Sequence, residues 1–259
     1  MFNTEKKIRS IQENLLKLLK LFHNICIENK VLYSLHGGTL LGAVREKGFI
    51  PWDDDIDVTM TRNDFERFEQ CIKTQKKGIR LIQVCGIYKF CDEAISKDLW
   101  IDVFIYDSIS CNKILQKLKC FTILLVECMT RSKEDMVNIR TNVHKKWEII
   151  VFKLINVFGI FIPKKTKKTL LNKVSTKLFV GSGDFIHRSN DKKPDRNIVI
   201  PSEWMSEYVT LPFEDANFLV TKNYHEVLTK SYGNDYMTPI KDELNSENHA
   251  NMRNFLSEH

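Results

Sequence analysis

A pair of acidic residues inside a strand pattern restricts the fold of this chain more than any other feature. In residues 53–60, Asp55 and Asp57 alternate with Ile56 and Val58. A β-strand points alternate side chains to opposite faces, so it places both carboxylates on one side and both apolar side chains on the other. The alternative for such an acidic run is a solvated turn, and the apolar neighbours favour the strand.

A glycine pair precedes this strand at a predicted turn. Residues 31–36 have the pattern of a short strand, Gly37 and Gly38 interrupt it, and residues 39–46 have a short helical pattern. Glycines at a helix start let backbone N–H groups approach phosphate oxygens closely, and the helix dipole adds to the attraction. We therefore predict that Gly37, Gly38 and Thr39 bind a phosphate group.

A third acidic residue, Asp102, lies in a later apolar strand pattern over residues 99–106. Two aspartates at i and i+2, as Asp55 and Asp57 are, can hold a divalent cation, and an all-oxygen shell favours Mg²⁺ or Mn²⁺ over zinc. A third carboxylate from a neighbouring strand can complete a second metal position, or it can take the proton from an attacking hydroxyl. Both roles stay open for Asp102.

Arg45 ends the short helical pattern after the glycine pair. A guanidinium can bind the phosphates of a donor through two parallel hydrogen bonds, so Arg45 joins the predicted phosphate-binding residues. The alternative is that Arg45 is a partner of the helix dipole or a surface residue.

The remaining periodicity predicts three regions. Residues 1–110 contain an amphipathic N-terminal helix and the acidic strands, with further elements over 62–73 and 79–84. Residues 111–180 form a helical subdomain, and residues 181–259 form a turn-rich segment that packs back on the core. The helical patterns of the subdomain cover 114–129, 143–162 and 169–179, and the basic cluster 164–168 separates the last two.

Charge and cysteine content exclude some classes of protein. The net charge of +6 arises from 39 basic and 33 acidic residues, too mixed for a dedicated nucleic-acid binder. The seven cysteines are scattered without a C-x-x-C pair, which predicts reduced thiols in a cytoplasmic protein rather than a zinc site. The most apolar stretch, 147–163, is too short and too interrupted to span a bilayer.

Residues 35–58 resemble the LicD family of phosphotransferases, whose domain also occurs in fukutin-type proteins. They read LHGGTLLGAVREKGFIPWDDDIDV. The order of a glycine pair, an Asp-x-Asp and an isolated acid on a later strand is also similar to the nucleotidyltransferase superfold. A second, weaker similarity lies in residues 211–214 and 232–239, which resemble the C-terminal signature of the family.

The resemblance implies an α/β fold, in which a nucleotidyltransferase-like core with a mixed sheet is extended by a helical subdomain. It implies metal-dependent transfer of a phospho-alcohol, typically phosphocholine from CDP-choline, to a hydroxyl of a cell-surface glycan such as lipopolysaccharide, teichoic acid or capsule. Asp55, Asp57 and Asp102 would be the metal-binding and catalytic residues, with Mg²⁺ or Mn²⁺ as the cofactor.

The implied partners are a CDP-alcohol donor and a glycan or lipid-linked glycan acceptor, with no nucleic acid. The basic cluster 164–168, next to apolar helices, predicts either peripheral contact with the inner face of the membrane or a solvated connection between helices. Two other functions remain alternatives, a nucleotidyltransferase that moves a nucleoside monophosphate to a sugar or small alcohol, and a non-catalytic module that binds nucleotides or glycans.

Overall fold

The computed structural model describes residues 2–84, 86–130, 146–192 and 194–239. The chain separates into two compact units. The first contains residues 1–105 and 203–259, and the second contains residues 106–202.

The helices of the described residues are α1 (Phe2–Glu28), α2 (Gly37–Arg45), α3 (Arg62–Lys73), α4 (Lys113–Thr130), α5 (Lys146–Gly159), α6 (Lys164–Lys177) and α7 (Tyr224–Tyr232). The strands are β1 (Ser34–Leu35), β2 (Asp57–Thr61), β3 (Ile79–Val84), β4 (Ile87–Asp92), β5 (Ile101–Ile109), β6 (Phe185–Arg188), β7 (Val199–Pro201), β8 (Tyr208–Phe213) and β9 (Ala216–Thr221). Helices packed with sheet confirm the predicted α/β class. Among the described helices, none is long and apolar enough to cross a membrane.

In the first unit, a sheet with the strand order β1-β2-β5-β4-β3 carries the acidic residues. The pairs β1–β2, β4–β5 and β3–β4 are antiparallel. Leu18, Phe22 and Ile25 from the apolar stripe of α1 are buried in the core, where Phe22 contacts the rings of Phe68 and Phe90. The sheet is therefore backed by helices, which hold its strands at fixed positions.

Helix α3 begins as the sequence predicts. The Thr61 Oγ1 accepts a hydrogen bond from the Asp64 N–H at 3.2 Å and donates one to the Asp64 carboxylate at 2.6 Å. This reciprocal arrangement satisfies an N–H group that has no partner within the helix. The predicted bounds of 62–73 for α3 and 79–84 for β3 are both confirmed.

In the second unit, residues 106–109 of β5 pair with β6, and β6 pairs with β7, both antiparallel. Helices α5 and α6 each contact α4. One apolar cluster joins Phe152 to Leu124 and Cys128, and another joins Val174 to Ile123 and Val126.

The structure corrects several element boundaries. The strand predicted over 53–60 starts only at Asp57, so Asp55 lies in the loop before β2. The sequence predicts a turn at Gly37 and Gly38 and a helix from residue 39. In the structure both glycines are already the first residues of α2. The C-terminal part of the chain contains β6 to β9 and α7 in addition to turns.

The basic cluster 164–168 was predicted to separate two helices, and this was wrong. It forms the first turns of α6, which begins at Lys164 instead of Thr169. Pro163, directly before Lys164, suits a helix start because its fixed φ and missing N–H are tolerated there. Residues 143–145 of the helix predicted before this cluster lie outside the described residues, and α5 ends at Gly159.

Candidate active site

The N-terminus of α2 is the centre of the candidate site. Gly37 opens the helix with a φ of 57°, a left-handed conformation that glycine adopts without strain. A Cβ atom on Gly37 would lie 2.5 Å from Asp57 Oδ2, and one on Gly38 would lie 2.6 Å from Asp53 Oδ2. Two carboxylates therefore lie directly against the first turn of α2, in space that only glycine leaves open.

The electrostatics of this turn combine opposite influences. The first N–H groups of a helix have no intrahelical partner and carry partial positive charge, which attracts anions. The carboxylates of Asp53 and Asp57 already lie there. A phosphate that approached the same turn would meet two negative side chains, so charge balance calls for a cation between phosphate and carboxylates.

Asp57 is held at both of its backbone polar groups by the start of α2. Its N–H donates to Thr39 Oγ1 at 2.9 Å, and its carbonyl oxygen accepts from the His36 N–H at 2.9 Å. Thr39 and His36 are both buried. Thr39, predicted to bind phosphate, thus fixes the position of an acidic residue in the structure.

The loop that carries Asp53 and Asp55 is held by α1. Gln12 is buried, and its Nε2 donates to Asp53 O at 2.8 Å and to Ile50 O at 3.2 Å. The Asp53 N–H also donates to Ile50 O at 2.9 Å. These bonds satisfy the backbone of an acidic loop that would otherwise lose its hydrogen bonds on burial.

Asp102 lies beside the acidic loop because β5 is the neighbour of β2 in the sheet. Its N–H donates to Ile56 O at 2.9 Å, and residue 56 lies between Asp55 and Asp57. The structure thus brings together in one region the three acids that the sequence predicted as the site.

The carboxylate of Asp102 is paired with a buried lysine that sequence reasoning missed. Lys89 Nζ lies 2.6 Å from Asp102 Oδ1, and only 3% of the Lys89 side chain is exposed. The same ammonium lies 4.1 Å from the ring centroid of Trp100, a cation–π contact. The register Lys89↔Asp102 between β4 and β5 creates this pair.

Arg45 lies at the opposite end of α2 from the glycine pair. The helix has nine residues, so Gly37 and Arg45 are about 12 Å apart along its axis. The Arg45 Nε donates to Glu46 Oε1 at 2.7 Å, and 8% of the Arg45 side chain is exposed. The geometry therefore gives Arg45 a carboxylate partner and a favourable position at the negative end of the dipole.

A turn near the C-terminal end of the described chain supports the loop before the acids. Between β8 and β9, Glu214 accepts two hydrogen bonds from Arg9, at 3.1 and 2.8 Å, and one from the Phe49 N–H at 3.2 Å. The Glu214 N–H donates to Lys47 O at 2.8 Å. The hydrogen bond from Arg9 lowers the pKa of Glu214. We call this set of contacts the Glu214 brace.

Comparisons with known proteins identify the family of this chain. The sequence model of the LicD/FKTN/FKRP nucleotidyltransferase domain matches residues 30–99. The chain is 30% identical over 267 residues to the lipopolysaccharide cholinephosphotransferase LicD of Haemophilus influenzae, covering 93% of this chain and 96% of that protein. The chain belongs to the LicD family. Two uncharacterised relatives, RT0683 of Rickettsia typhi and RP689 of Rickettsia prowazekii, are 36% and 32% identical over 103 and 92 residues, which cover 40% and 36% of this chain and 30% and 33% of those proteins.

The segment that matches the LicD domain contains the glycine pair, Asp55 and Asp57, and it stops three residues before Asp102. Asp102 is connected to that segment through the Ile56 carbonyl, and the Glu214 brace is connected to it through Phe49. Glu214 therefore lies far from the matched segment in sequence and contacts it in the structure, whereas Asp102 follows the segment closely in both.

The oxygen donors of this candidate site are of the kind that suits a hard cation. Within the described ranges, no group of three His, Cys, Asp or Glu side chains converges as a complete set of metal ligands. Mg²⁺ does not need such a set, because it is usually held by one or two carboxylates together with the phosphates of a substrate. Asp57 has a carboxylate of this kind next to a helix start that suits phosphate, and Asp55 lies two residues before it, in the loop that precedes β2.

Proposed function

We propose that this enzyme transfers phosphocholine from CDP-choline to a hydroxyl group of a lipopolysaccharide glycan. The observation that carries the proposal is the match along almost the whole chain to a protein named lipopolysaccharide cholinephosphotransferase. The geometry at the start of α2 supports it, because carboxylates and helix N–H groups face the same space and suit a diphosphate together with a divalent cation.

In this proposal Asp55 and Asp57 hold Mg²⁺ or Mn²⁺, and the first turn of α2 at Gly37 and Gly38 binds a donor phosphate through backbone N–H groups. The bound cation neutralises the negative charge of the diphosphate. Thr39 keeps Asp57 in register with the helix start through the hydrogen bond to its N–H. Catalysis by these residues consists mainly of positioning and charge compensation.

We assign the proton transfer to Asp102. The acceptor oxygen bonds to the phosphorus of phosphocholine, the bond from that phosphorus to the bridging oxygen breaks, CMP leaves, and the hydroxyl proton passes to Asp102. Lys89 supports this assignment because its ammonium occupies Asp102 Oδ1 and competes with a divalent cation at the same carboxylate. The second oxygen of the carboxylate is the proposed proton acceptor.

The test is an assay of the purified full-length protein with Mg²⁺, lipopolysaccharide and CDP-choline labelled in the choline. We expect release of CMP and transfer of label to the glycan, both abolished by a chelator and restored by Mg²⁺ or Mn²⁺. CDP-ethanolamine and CDP-glycerol serve as matched donors for the choice of alcohol. CTP with free choline or sugar tests the nucleotidyltransferase alternative, for which pyrophosphate is the released product.

Pyrophosphate release without CMP release would replace the proposal by nucleotidyl transfer. Tight binding of donor with no turnover on any glycan acceptor would favour the non-catalytic alternative.

We also propose that the enzyme works in the cytoplasm, at the inner face of the membrane. The six described cysteines are free thiols, as expected in a reducing compartment. The relative acts on lipopolysaccharide, a lipid-linked glycan. Fractionation of cells that express the tagged protein would test this location, and recovery from the periplasm would contradict it.

A further inference from the structure

Helix α5 has two apolar faces, and the described residues of the second unit cover one of them. Phe152 and Ile155 pack into the cluster formed with Leu124 and Cys128 of α4. On the same side, Asn156 Nδ2 donates to Cys128 O at 2.9 Å. This inner face is accounted for by the packing of α5 on α4.

The outer face of α5 carries large apolar side chains that water reaches. They follow helical spacing, and two more lie in the turn after the helix. Their exposed fractions are 61% for Ile150, 56% for Leu154, 54% for Val157, 69% for Phe158, 64% for Ile160 and 82% for Phe161. Apolar side chains clustered at this exposure mark an interaction surface more often than an ordinary protein surface.

Hydrogen bonds hold the end of this surface in place. The N–H groups of Ile160 and Phe161 donate to Val157 O and Phe158 O at 3.2 and 3.3 Å. Lys167 Nζ donates to Met129 O at 2.9 Å and to Gly159 O at 3.2 Å, where α4 and α5 end. The exposed side chains at the end of the surface therefore belong to a hydrogen-bonded turn. Lys167 is not among the lysines that face solvent there, because its ammonium binds backbone carbonyls of the same unit.

Three other lysines lie exposed directly after the apolar turn. Lys164, Lys165 and Lys168 occupy the first turns of α6. Cations at a helix N-terminus oppose the helix dipole, so these lysines do not serve to stabilise the helix. Residues 149–183 contain seven lysines and no acidic residue, so no carboxylate of this segment compensates them.

We propose that these residues form a surface that docks on an anionic lipid bilayer. The membrane-docking surface consists of the six exposed apolar side chains of residues 150–161 together with Lys164, Lys165 and Lys168. The apolar side chains enter the boundary between headgroups and acyl chains, and the lysines bind lipid phosphates. This inference rests on the location at the membrane proposed above and does not depend on the catalytic assignment.

The geometry favours a helix that lies on the bilayer. Helix α5 has 14 residues and is about 21 Å long, shorter than the hydrocarbon core of about 30 Å. A second copy of the chain fits the surface less well, because a two-fold contact would bring two lysine clusters together. An anionic bilayer has the complementary charge.

The test is flotation of the full-length protein with phosphatidylcholine vesicles, made with and without phosphatidylglycerol. We expect binding to the anionic vesicles to be stronger by about tenfold or more, and to weaken as salt is added, since each lysine near such a surface contributes about a fivefold change in partitioning before screening.

Two pairs of variants separate the apolar and the charged parts. Phe158→Ser with Phe161→Ser should weaken binding to anionic vesicles by about tenfold or more. Its control is Ile27→Ser with Ile82→Ser, which removes exposed apolar side chains of the first unit, 50% and 39% exposed. Lys164→Gln with Lys165→Gln should weaken binding to anionic vesicles by about tenfold.

The control for the lysine pair is Lys76→Gln with Lys77→Gln, an adjacent exposed pair in the first unit. Unchanged thermal midpoints show that each variant is folded. Wild-type protein that does not float with anionic vesicles, or variants that float like wild type, would overturn the inference.

A self-association surface is the competing outcome. It would appear as a wild-type dimer in light scattering that the Phe158→Ser, Phe161→Ser variant converts to a monomer with vesicle binding unchanged. Donor turnover on a water-soluble glycan fragment is measured in parallel, so that loss of docking is distinguished from failure of the proposed reaction.

Discussion

At the start of α2, the distance between helix and carboxylates is set by the missing Cβ atoms of Gly37 and Gly38. Gly37 also needs its left-handed φ, whereas Gly38 does not. A substitution at Gly38 therefore tests the effect of an added Cβ atom on the neighbouring carboxylate without adding backbone strain. The atom that a methyl group would displace is the Asp53 Oδ2 at the end of a side chain, which can turn away at low cost.

Gly38→Ala is expected to lower turnover by about tenfold or more, because the methyl group moves the Asp53 carboxylate beside the turn proposed to bind the donor phosphate, with little change in thermal midpoint. Alanine favours the helix by up to about 1 kcal/mol, which offsets the displacement of Asp53. The control is a double-mutant cycle with Asp53→Ala, measured by kcat/KM. If Asp53 displacement is the cause, adding Gly38→Ala to Asp53→Ala has no further effect, and a full additional loss would contradict this explanation.

Asp55→Asn and Asp57→Asn should each lower turnover by on the order of 10² or more, because each removes a charge proposed to hold the cation. The Asp57 carboxylate lies against the positive end of α2, so its loss should also cost about 0.5 kcal/mol of stability. CMP release and thermal midpoints are the measurements. Near-wild-type turnover in a folded variant would remove the metal-site assignment.

Asp102→Asn is expected to abolish transfer while the metal-dependent affinity for CDP-choline persists. It should also reduce the free energy of unfolding by about 1–3 kcal/mol, since the buried Lys89 ammonium loses its partner. Adding Lys89→Met should restore part of that stability and none of the activity. The measurement is calorimetry of CDP-choline binding with and without Mg²⁺. Parallel loss of donor binding and transfer would identify Asp102 as a metal ligand instead of a base.

Residue types and spacing point to three acids as candidates, but they do not reveal the partners of those acids. Asp57 and Asp102 stand out in apolar strand patterns, Asp55 lies two residues before Asp57, and all three lie in one region of the structure. Lys89 could not be predicted, because its role comes from pairing with Asp102 across β4 and β5. The nearness of Asp53 to Gly38 likewise depends on a loop path that has no periodicity to follow.

At the scale of elements, the Glu214 brace connects the β8–β9 turn to the loop before the acids. It joins Glu214 to Arg9 of α1 and to Phe49, while the rings of Phe213 and Phe49 pack with centroids 4.8 Å apart. Residues 211–214 had resembled a family signature, and the structure gives that short segment a physical role.

Glu214→Gln should lower turnover by roughly tenfold and reduce acid sensitivity. The Arg9 hydrogen bond lowers the pKa of Glu214 below 4.5, so the brace contributes stability above that pH and loses it as pH falls through the lowered pKa. The Glu214→Gln variant should therefore not show this loss of stability below about pH 4.5. Asp215→Asn, which removes the exposed pair with Lys20, is the control. If wild type and Glu214→Gln unfold in acid with the same midpoint pH, the proposed role of the Glu214 brace is contradicted.

Strong periodicity predicted α1, α3 and β3 well, because their apolar residues repeat without interruption. The strand β4 was missed because Lys89 and Asp92, both buried, break its apolar pattern. The start of α6 was misplaced because lysines opposing a helix dipole are atypical of a first turn.

At the scale of the whole molecule, the second unit buries much of its charge. Arg196 and Glu127 form a pair at 2.6 Å with 5% and 6% of their side chains exposed. His187 is fully buried, with its Nδ1 3.1 Å from Arg196 O. Burial, and secondarily the charge of Lys119, lower the pKa of His187 from 6.5 to about 4, while Asp107 opposes this shift.

The second unit should therefore lose stability on mild acidification. Between about pH 6.5 and 4 the unfolded chain binds a proton at residue 187 that the folded unit excludes, so the free energy of unfolding falls by up to about 1.4 kcal/mol per pH unit. His187→Gln should flatten this dependence. His225→Gln, at an exposed histidine, is the control. Unfolding followed by hydrogen exchange at several pH values is the measurement, and equal slopes in wild type and His187→Gln would contradict it.

The Glu214 brace also affects the order in which parts of the site form while the chain is being synthesised. The acids at 53–57 and the glycine pair leave the ribosome early, whereas Glu214, in the turn that holds Lys47 and Phe49, is made 165 residues after Phe49. A nascent chain therefore carries every proposed catalytic residue before the loop that positions them is supported. Activity should arise only once the β8–β9 hairpin has folded back, which keeps incomplete chains from consuming the donor.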